Sequence, residues 1–448
     1  MSSDIMTGVI KHEKKDRVVV FSAKQDDFDF CFMTDSIYEF DKSNPPIKIS
    51  PLDGFIFGKT HTNYPIAIYV GQTPFEIIGR RNLITSAYVL TRSVLSNNPV
   101  TEYQAIQFQG GTLNQVFCPK GIKCDHIGTQ IIISPNDDCI RHTLSVDGSE
   151  IKLIIRSSTN EQYGIDGFSF NNRKVELTLE FDKPQPLSTL FDHYNRMRDM
   201  LSFLTFRNNV GFESIELLEL HPALQNLTTS AEVFIRNDEP ITEKNVFRNI
   251  CFDDLGDALP ALVKLFYSTE DKKPSKSLGF YAINDNDQTM TNAKIRAICS
   301  ALECELSFLP EIKADEKPEL DELVTIVHDT VKDFQKRHSC LSNDTYNTIF
   351  SSIGNWSFPL KEKLCALYQK NLREMLKLNK SDITITDELI GSFVKYRNDI
   401  THGRHRTLDL KTAITAYYLG GLVYCCILNR IGIDRKKILE LCESKILS

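Results

Sequence analysis

The sequence predicts an α+β multidomain protein: a β-rich, sandwich-like N-terminal domain, a mixed helical middle segment and a C-terminal all-α up-and-down bundle. The first 180 residues contain short runs of β-branched and aromatic residues separated by turn residues. From about Thr289, apolar residues recur every three or four positions, as on one face of a helix. The polar run Thr269–Ser277 separates these two patterns. We therefore expect three parts, at 1–182, 183–280 and 285–448.

The composition excludes several classes of protein. With 448 residues, 41% hydrophobic and 25% charged, the chain has a globular composition and is not a disordered or collagen-like chain. The net charge of −7 means that a nucleic acid would have to be held by a local basic patch. The twelve cysteines have no framework spacing and the N-terminus has no signal-peptide pattern, so we expect a cytoplasmic protein. The uncharged stretch Thr412–Asn429 predicts a buried core helix rather than a membrane span.

In the N-terminal region, each predicted strand is a short apolar run bounded by Gly, Pro, Asn or Asp. Asp147-Gly148 separates two such runs and predicts a two-residue hairpin turn. Lys174–Phe181 alternates apolar and polar residues, which is typical of a half-buried strand. The predicted strands are Val18–Phe21, Phe28–Phe32, Phe55–Phe57, Ile66–Val70, Glu76–Ile78, Ala105–Phe108, Gln130–Ile133, Thr143–Val146, Glu150–Ile155 and Lys174–Phe181.

The middle segment mixes both patterns, and the C-terminal third is almost wholly helical. Prolines near predicted first turns and glycines after predicted last turns mark the helix ends. Strands are predicted at Ser214–Leu218 and Val233–Ile235, and helices at Leu190–Leu204, Leu259–Phe266, Ile295–Leu309, Leu320–Phe334, Leu360–Leu376, Leu389–Ile400 and Leu408–Arg430, with a last helix from Asp434.

The strongest candidate for a functional site is the basic segment from Lys395 to Arg406. It carries four basic side chains, one acid and two histidines in a chain that is acidic overall. Arg397 and His402 are five residues apart, about 140° around an ideal helix, so they do not share a face. Gly403 predicts the helix end, which would let His402 turn away from the helix. The phosphate-loop, dinucleotide, zinc-protease and serine-hydrolase motifs are all absent from the sequence.

An arginine beside a histidine suits the cleavage of RNA. His402 would act as general base on a ribose 2′-hydroxyl or as general acid on the leaving oxygen, because histidine titrates near neutrality. Arg397 would bind the phosphoryl oxygens, and the Asn398 amide would orient a phosphate oxygen or His402. The remaining basic residues of the segment would bind the flanking RNA backbone; they are Lys395, Arg404, His405 and Arg406. We predict no metal or cofactor, because the nucleophile is part of the RNA itself.

Two further interpretations of the same sequence remain open. Cations at a helix C-terminus also form an ordinary helix cap. The alternative interpretation is therefore a non-catalytic scaffold, in which the bundle only dimerises and docks nucleic acid or a partner. The β-rich region is alternatively a carbohydrate-binding sandwich with a helical dimerisation tail.

The C-terminal 160 residues resemble a HEPN domain, a helical bundle found in many ribonucleases. The family is marked by an arginine, often followed by asparagine, and then a histidine, and Arg397-Asn398…His402-Gly403 matches this pattern. The whole chain is similar in arrangement to Apea-like HEPN proteins of bacterial anti-phage defence. The resemblance implies a metal-independent endoribonuclease, toxic to the infected cell and restrained until a phage-derived signal acts on the N-terminal region. It also implies a homodimer, or a dimer of dimers, formed through the C-terminal bundle.

Weaker candidates are explained by structural roles. Five possible zinc ligands lie within 25 residues of one another, but none of them form a Cys-x-x-Cys pair. We therefore expect buried thiols and exposed histidines rather than a zinc site. They are Cys118, Cys124, His126, Cys139 and His142. Glu303 and Glu305 are predicted to be surface carboxylates.

Overall fold

The structure is a computed structural model, and the chain forms two compact units. Unit 1 comprises Met1–Leu201, Asn209–Lys244 and Cys251–Ser268; unit 2 comprises Ser202–Asn208, Asn245–Ile250 and Thr269–Ser448. The structure describes residues 5–11, 18–24, 27–34, 46–92, 98–117, 122–127, 130–135, 139–164, 167–237, 248–268, 289–309, 318–338, 341–357, 360–371, 385–404 and 406–447.

The described part of unit 1 is dominated by β-strands, as the sequence predicts for this half of the chain. The strands are β1(Ile5–Ile10), β2(Val19–Lys24), β3(Asp29–Thr34), β4(Ile47–Ile49), β5(Phe55–Thr60), β6(Pro65–Tyr69), β7(Phe75–Ile77), β8(Arg80–Ile84), β9(Ala87–Thr91), β10(Glu102–Gln109), β11(Ile122–Ile127), β12(Gln130–Pro135), β13(Cys139–Val146), β14(Ser149–Gly164), β15(Gly167–Pro186), β16(Ser214–Leu220) and β17(Leu227–Ile235).

Thirteen of these strands form one antiparallel sheet, in the order β13-β14-β15-β10-β16-β17-β9-β6-β5-β1-β2-β3-β8. The pairs β11–β12 and β4–β7 form two small sheets. Backbone hydrogen bonds therefore run from strand to strand through most of the N-terminal region that the sequence predicts to be sandwich-like. Strands β16 and β17 come from the predicted middle segment, and they lie near the centre of the large sheet.

Local sequence explains why the best-predicted strands form. In β15, Val175, Leu177, Leu179 and Phe181 are buried, as their alternation with polar residues predicts. The turn between β13 and β14 is the predicted two-residue hairpin, with φ of 49° at Asp147 and 85° at Gly148. Two successive positive φ angles match the right-handed twist of the flanking strands, so the hairpin prediction is confirmed.

The core of unit 1 is rich in aromatic side chains. Phe30 contacts Tyr88 edge to face, with ring centroids 5.6 Å apart. Phe32 contacts Phe75 of β7 in the same way at 5.1 Å, so the small β4–β7 sheet packs against the large one. Such pairs bury a large apolar area and prefer this geometry because ring edges are positive and faces negative.

Most described helices lie in the C-terminal half of the chain, and together with the sheet they establish the α+β class. The helices are α1(Leu113–Val116), α2(Leu190–Thr205), α3(Phe252–Leu255), α4(Leu259–Tyr267), α5(Asn292–Leu306), α6(Pro318–Arg337), α7(Asn343–Ser357), α8(Leu360–Asn371), α9(Asp387–Thr401), α10(Leu410–Arg430) and α11(Arg435–Leu441).

Helix α10 supplies the core of unit 2. It packs against α5, α8 and α9, and fourteen of its residues are buried. Its Tyr424 ring lies between those of Phe203 and Phe206, at centroid distances of 5.0 and 4.9 Å. Among the described helices, α10 alone is long and apolar enough to cross a membrane, and 78% of its apolar window is buried inside the chain.

A buried ion pair joins α5 to the end of α10. Arg430 Nη1 donates to both carboxylate oxygens of Glu305, at 2.7 and 2.8 Å, and the guanidinium stacks on the Phe308 ring. The side chain of Glu305 is only 1% exposed, so its prediction as a surface carboxylate is wrong. Burial raises the pKa of Glu305, and the arginine partly offsets that rise. The prediction failed because nothing near Glu305 in sequence indicates that Arg430 reaches it.

His193 is buried in unit 1 among the rings of Tyr103, Phe181 and Tyr267. Neither ring nitrogen has a hydrogen-bond partner among the described residues. Burial, together with the smaller effect of the positive charge of Arg196, lowers the pKa of His193 to about 3. Histidine in an unfolded chain titrates near 6.5. Between these two values the unfolded chain therefore binds more protons than the folded one.

We predict that unit 1 loses stability as the pH falls from 7.5 to 5. At pH 5 the unfolded histidine is protonated while folded His193 is neutral, which removes about 2 kcal/mol from the free energy of unfolding. Replacing His193 by Phe keeps the aromatic contacts and removes this contribution. Urea unfolding at both pH values tests the prediction. An equal loss of stability in the wild type and in His193→Phe would contradict it.

Candidate active site

The candidate site lies at the C-terminal end of α9. The helix begins as its sequence predicts: the Thr386 hydroxyl accepts a hydrogen bond from the Leu389 amide, and Asp387 and Glu388 occupy the positive end of the helix dipole. Ile390, Phe393, Tyr396 and Ile400 form its buried face. That face holds the polar residues of the last two turns in place.

Helix α9 ends in the αL turn that Gly403 predicts. Gly403 has a φ of +72°, and the Arg404 amide donates to the Asp399 carbonyl at 2.9 Å. The Gly403 amide donates to the Ile400 carbonyl at 3.4 Å, which completes a Schellman motif. His402 is the C-cap residue. Its imidazole is exposed and makes no hydrogen bond to any residue that the structure describes.

Arg397 lies one turn earlier, and its guanidinium is held by two neighbours. Nη2 donates to both carboxylate oxygens of Glu303 on α5, at 3.0 and 3.1 Å. Nη1 donates to Oδ1 of Asn398 at 3.1 Å. The Arg397 side chain is 25% exposed and that of Glu303 is 41% exposed. Asn398 therefore orients Arg397, whereas its predicted role was to orient a phosphate or His402.

Three polar residues of α5 contact the end of α9. Besides the ion pair of Glu303, Arg296 Nη2 donates to the Ile400 carbonyl at 2.7 Å, and the Tyr396 hydroxyl donates to Asn292 Oδ1 at 2.8 Å. The α5 residues are spaced by four and seven, so they lie within about 40° of one another around the helix. The sequence alone did not identify them as part of the site. Their four-and-seven spacing is the signal that was available.

The flanking arginines share one carboxylate of α9. Arg404 Nη1 and Arg406 Nη1 donate to the two oxygens of Asp399, at 3.3 and 3.0 Å. The hydrogen bond from Arg406, and then that from Arg404, holds the pKa of Asp399 below its usual value. Lys395 is exposed on α9, and His405 lies outside the described residues. The structure thus brings together the predicted residues Arg397, Asn398, His402, Arg404 and Arg406 with the carboxylates of Glu303 and Asp399.

Cys299 also lies on the face of α5 that meets α9, but its thiol is buried. Burial raises the pKa of its thiol to about 12, although Arg397 acts in the opposite direction. A thiol with this pKa stays protonated at neutral pH, and only the thiolate is a strong nucleophile. Burial therefore disfavours a nucleophilic role for Cys299.

No metal-binding cluster of three or more His, Cys, Asp or Glu side chains is found in the described parts of the chain. Of the five candidate zinc ligands, only Cys139 and His142 have described side chains, on β13. Cys118 lies outside the described residues, as do the side chains of Cys124 and His126.

Comparisons with protein-family models, curated proteins and solved structures find no match to this chain. Assignment of the site therefore depends on its own residues.

We predict that Gly403→Ala destabilises unit 2 by about 1 kcal/mol, because alanine resists a positive φ. Gly391→Ala within α9 is the matched control: the atoms nearest to its added methyl group belong to the flexible end of the Lys361 side chain. Since alanine favours a helix, that variant should be as stable as the wild type or more so. The free energies of unfolding of both variants, measured in urea, test whether the turn requires glycine at position 403. Equal stability of Gly403→Ala and Gly391→Ala would contradict it.

Proposed function

We propose that this protein is a metal-independent endoribonuclease of the HEPN type, acting as a toxin-like effector of anti-phage, abortive-infection defence. The observation that carries the proposal is the end of α9, where Arg397 is oriented by two neighbours and His402 presents an exposed imidazole. In cleavage by an internal 2′-hydroxyl, a histidine can act as general base and an arginine can stabilise the charge that develops on the phosphate.

The proposed mechanism uses only groups of the site and of the RNA. The imidazole of His402 takes the proton of the ribose 2′-hydroxyl, and the 2′-oxygen attacks the adjacent phosphorus. Arg397 donates hydrogen bonds to the nonbridging oxygens as negative charge develops on them. The bond between phosphorus and the 5′-oxygen breaks, and that oxygen takes a proton from a second, protonated His402 in the homodimer proposed below, which leaves a 2′,3′-cyclic phosphate and a 5′-hydroxyl. DNA is not a substrate because it lacks the nucleophile.

The flanking residues would bind the RNA backbone. Lys395, Arg404 and Arg406 lie within two turns of the site or directly after it, and His405 lies between the two arginines in sequence. Each phosphate contact of this kind makes binding weaker as salt increases.

The biological setting is proposed from the family resemblance. By this resemblance, the protein would be a cytoplasmic effector whose N-terminal region binds a phage-derived activator. The continuous sheet of unit 1 would be the receiving surface, and unit 2 would carry the nuclease.

A non-catalytic scaffold is the second candidate function. One observation favours it: Arg397, Arg404 and Arg406 each pair with a carboxylate of the same chain, as expected of a stable helix end. In this case the site residues would support docking or pairing without cleavage.

We predict that Arg397→Ala and His402→Ala each lower RNA cleavage at least about 100-fold, the usual loss on removing a general base or an oxyanion donor. The wild type should cleave RNA in EDTA and leave 2′,3′-cyclic phosphate ends, which end-group analysis of the products detects. The matched controls, Arg337→Ala and His338→Ala, change exposed residues at the end of α6 and should retain activity. Cleavage of 2′-deoxy substrate, or full activity of the two site variants, would exclude the proposed mechanism.

We propose that the working unit is a homodimer, or a dimer of dimers, paired through unit 2. One His402 cannot be both base and acid in the same step, and a two-fold axis beside the site would bring a second Arg397 and His402. Helix α10 is largely buried within its own chain, so most of the interface would come from other helices.

We predict that the full chain sediments as a dimer or larger at concentrations where it cleaves RNA. Stable interfaces of this kind bury more than about 2,000 Å². Specific activity should fall when the protein is diluted below the dissociation constant. A monomer with full specific activity would show that one copy of the site suffices.

A further inference from the structure

The three described arginines of the basic segment Lys395–Arg406 are each paired with a carboxylate of their own chain. Arg404 and Arg406 pair with Asp399, and Arg397 pairs with Glu303. A phosphate that binds at this end of α9 therefore meets cations that already have a carboxylate partner.

The two carboxylates are held very differently. Asp399 lies on α9 itself, is 16% exposed and accepts hydrogen bonds from two arginines. Glu303 belongs to another helix, is 41% exposed and has one arginine partner. Ion pairs that water reaches are weak, because water competes for both partners. Glu303 is therefore the carboxylate that an incoming anion can replace.

The Arg397–Glu303 pair uses the same kinds of atoms as a phosphate contact. Both carboxylate oxygens of Glu303 accept from one terminal nitrogen of Arg397, and the other terminal nitrogen donates to Asn398. Two oxygens on one centre are also what a phosphodiester offers to a guanidinium. Asn398 would keep the guanidinium in place during such an exchange, because its hydrogen bond uses the other nitrogen.

We propose that Glu303 is a built-in competitor for the RNA phosphate at Arg397. The carboxylate occupies the phosphate-binding donors of Arg397 in the free protein, and bound RNA displaces it into solvent. The proposal rests on the proposed function and adds a means of restraint to the same site: RNA binding must overcome the Arg397–Glu303 pair. A polyanion with several phosphate contacts does this readily, whereas a small anion with one contact does not.

The test compares Glu303→Gln with the wild type in the full chain. The binding probe is a 2′-O-methyl oligoribonucleotide, which carries the phosphates but not the nucleophile, and cleavage of the matching RNA is measured separately. Glutamine keeps the size of the side chain and removes its charge. Glu303→Gln should bind the probe about two- to fivefold more tightly, the range that an exposed ion pair can account for. Its kcat/KM on the RNA should rise by a similar factor.

Two controls separate competition from a general change in charge. Glu322→Gln removes an exposed carboxylate of α6 that has no described partner, and it should change the affinity less than Glu303→Gln does. In an Arg397→Ala background, Glu303→Gln should have no larger effect than Glu322→Gln, because the competition acts through Arg397.

The outcomes separate the two proposals. If Glu303→Gln lowers kcat and leaves the affinity for the probe unchanged, Glu303 positions Arg397 for catalysis and the competitor proposal is wrong. Equal effects of Glu303→Gln and Glu322→Gln overturn it as well, while the nuclease assignment stands. If the wild type neither binds the probe nor cleaves RNA, the proposed function fails and the competitor proposal fails with it.

Discussion

The candidate site depends on the need to satisfy the last carbonyl oxygens of α9. A helix leaves these acceptors without intrahelical partners. Here the amides of His402, Gly403 and Arg404 satisfy three of them, and Arg296 of α5 adds a side-chain donor to one. This turn places His402 at the C-cap, in solvent, immediately after the helix that carries Arg397. The same hydrogen bonds that end the helix therefore create the arrangement that we propose to be catalytic.

Two glutamates of α5 show how burial separates a structural ion pair from an exchangeable one. Glu303 and Glu305 are two residues apart, so they project about 200° apart around the helix. Glu305 is buried with Arg430, and removing one partner of such a pair typically costs about 3–5 kcal/mol. Glu303 pairs with Arg397 in contact with water, where a pair contributes about 0.2–1 kcal/mol. The first pair holds the fold together, and the second is weak enough to be replaced by a ligand.

The elements that local sequence predicts well are those whose signals do not depend on distant contacts. The alternation of β15 and the turn at Asp147-Gly148 are of this kind, and both are present. Helix α7, at Asn343–Ser357, was not predicted, although Tyr346, Ile349, Phe350 and Ile353 have helical spacing, because its serine and asparagine content favours turns. Strand β1 was also missed, since Gly8 interrupts its apolar residues.

At the site, local sequence was enough to propose Arg397, Asn398 and His402 as functional residues and to place the helix end at Gly403. A glycine after an apolar face is a short-range signal, and the αL turn that it permits needs no distant partner. The contacts of Asn292, Arg296 and Glu303 with α9 depend on how α5 packs against that helix, more than 90 residues later in the chain. Helical spacing shows which residues share a face but not what that face meets. Only the tertiary structure decided that a carboxylate of α5 lies on Arg397, because side-chain pairing between distant segments follows from packing and leaves no pattern in either segment alone.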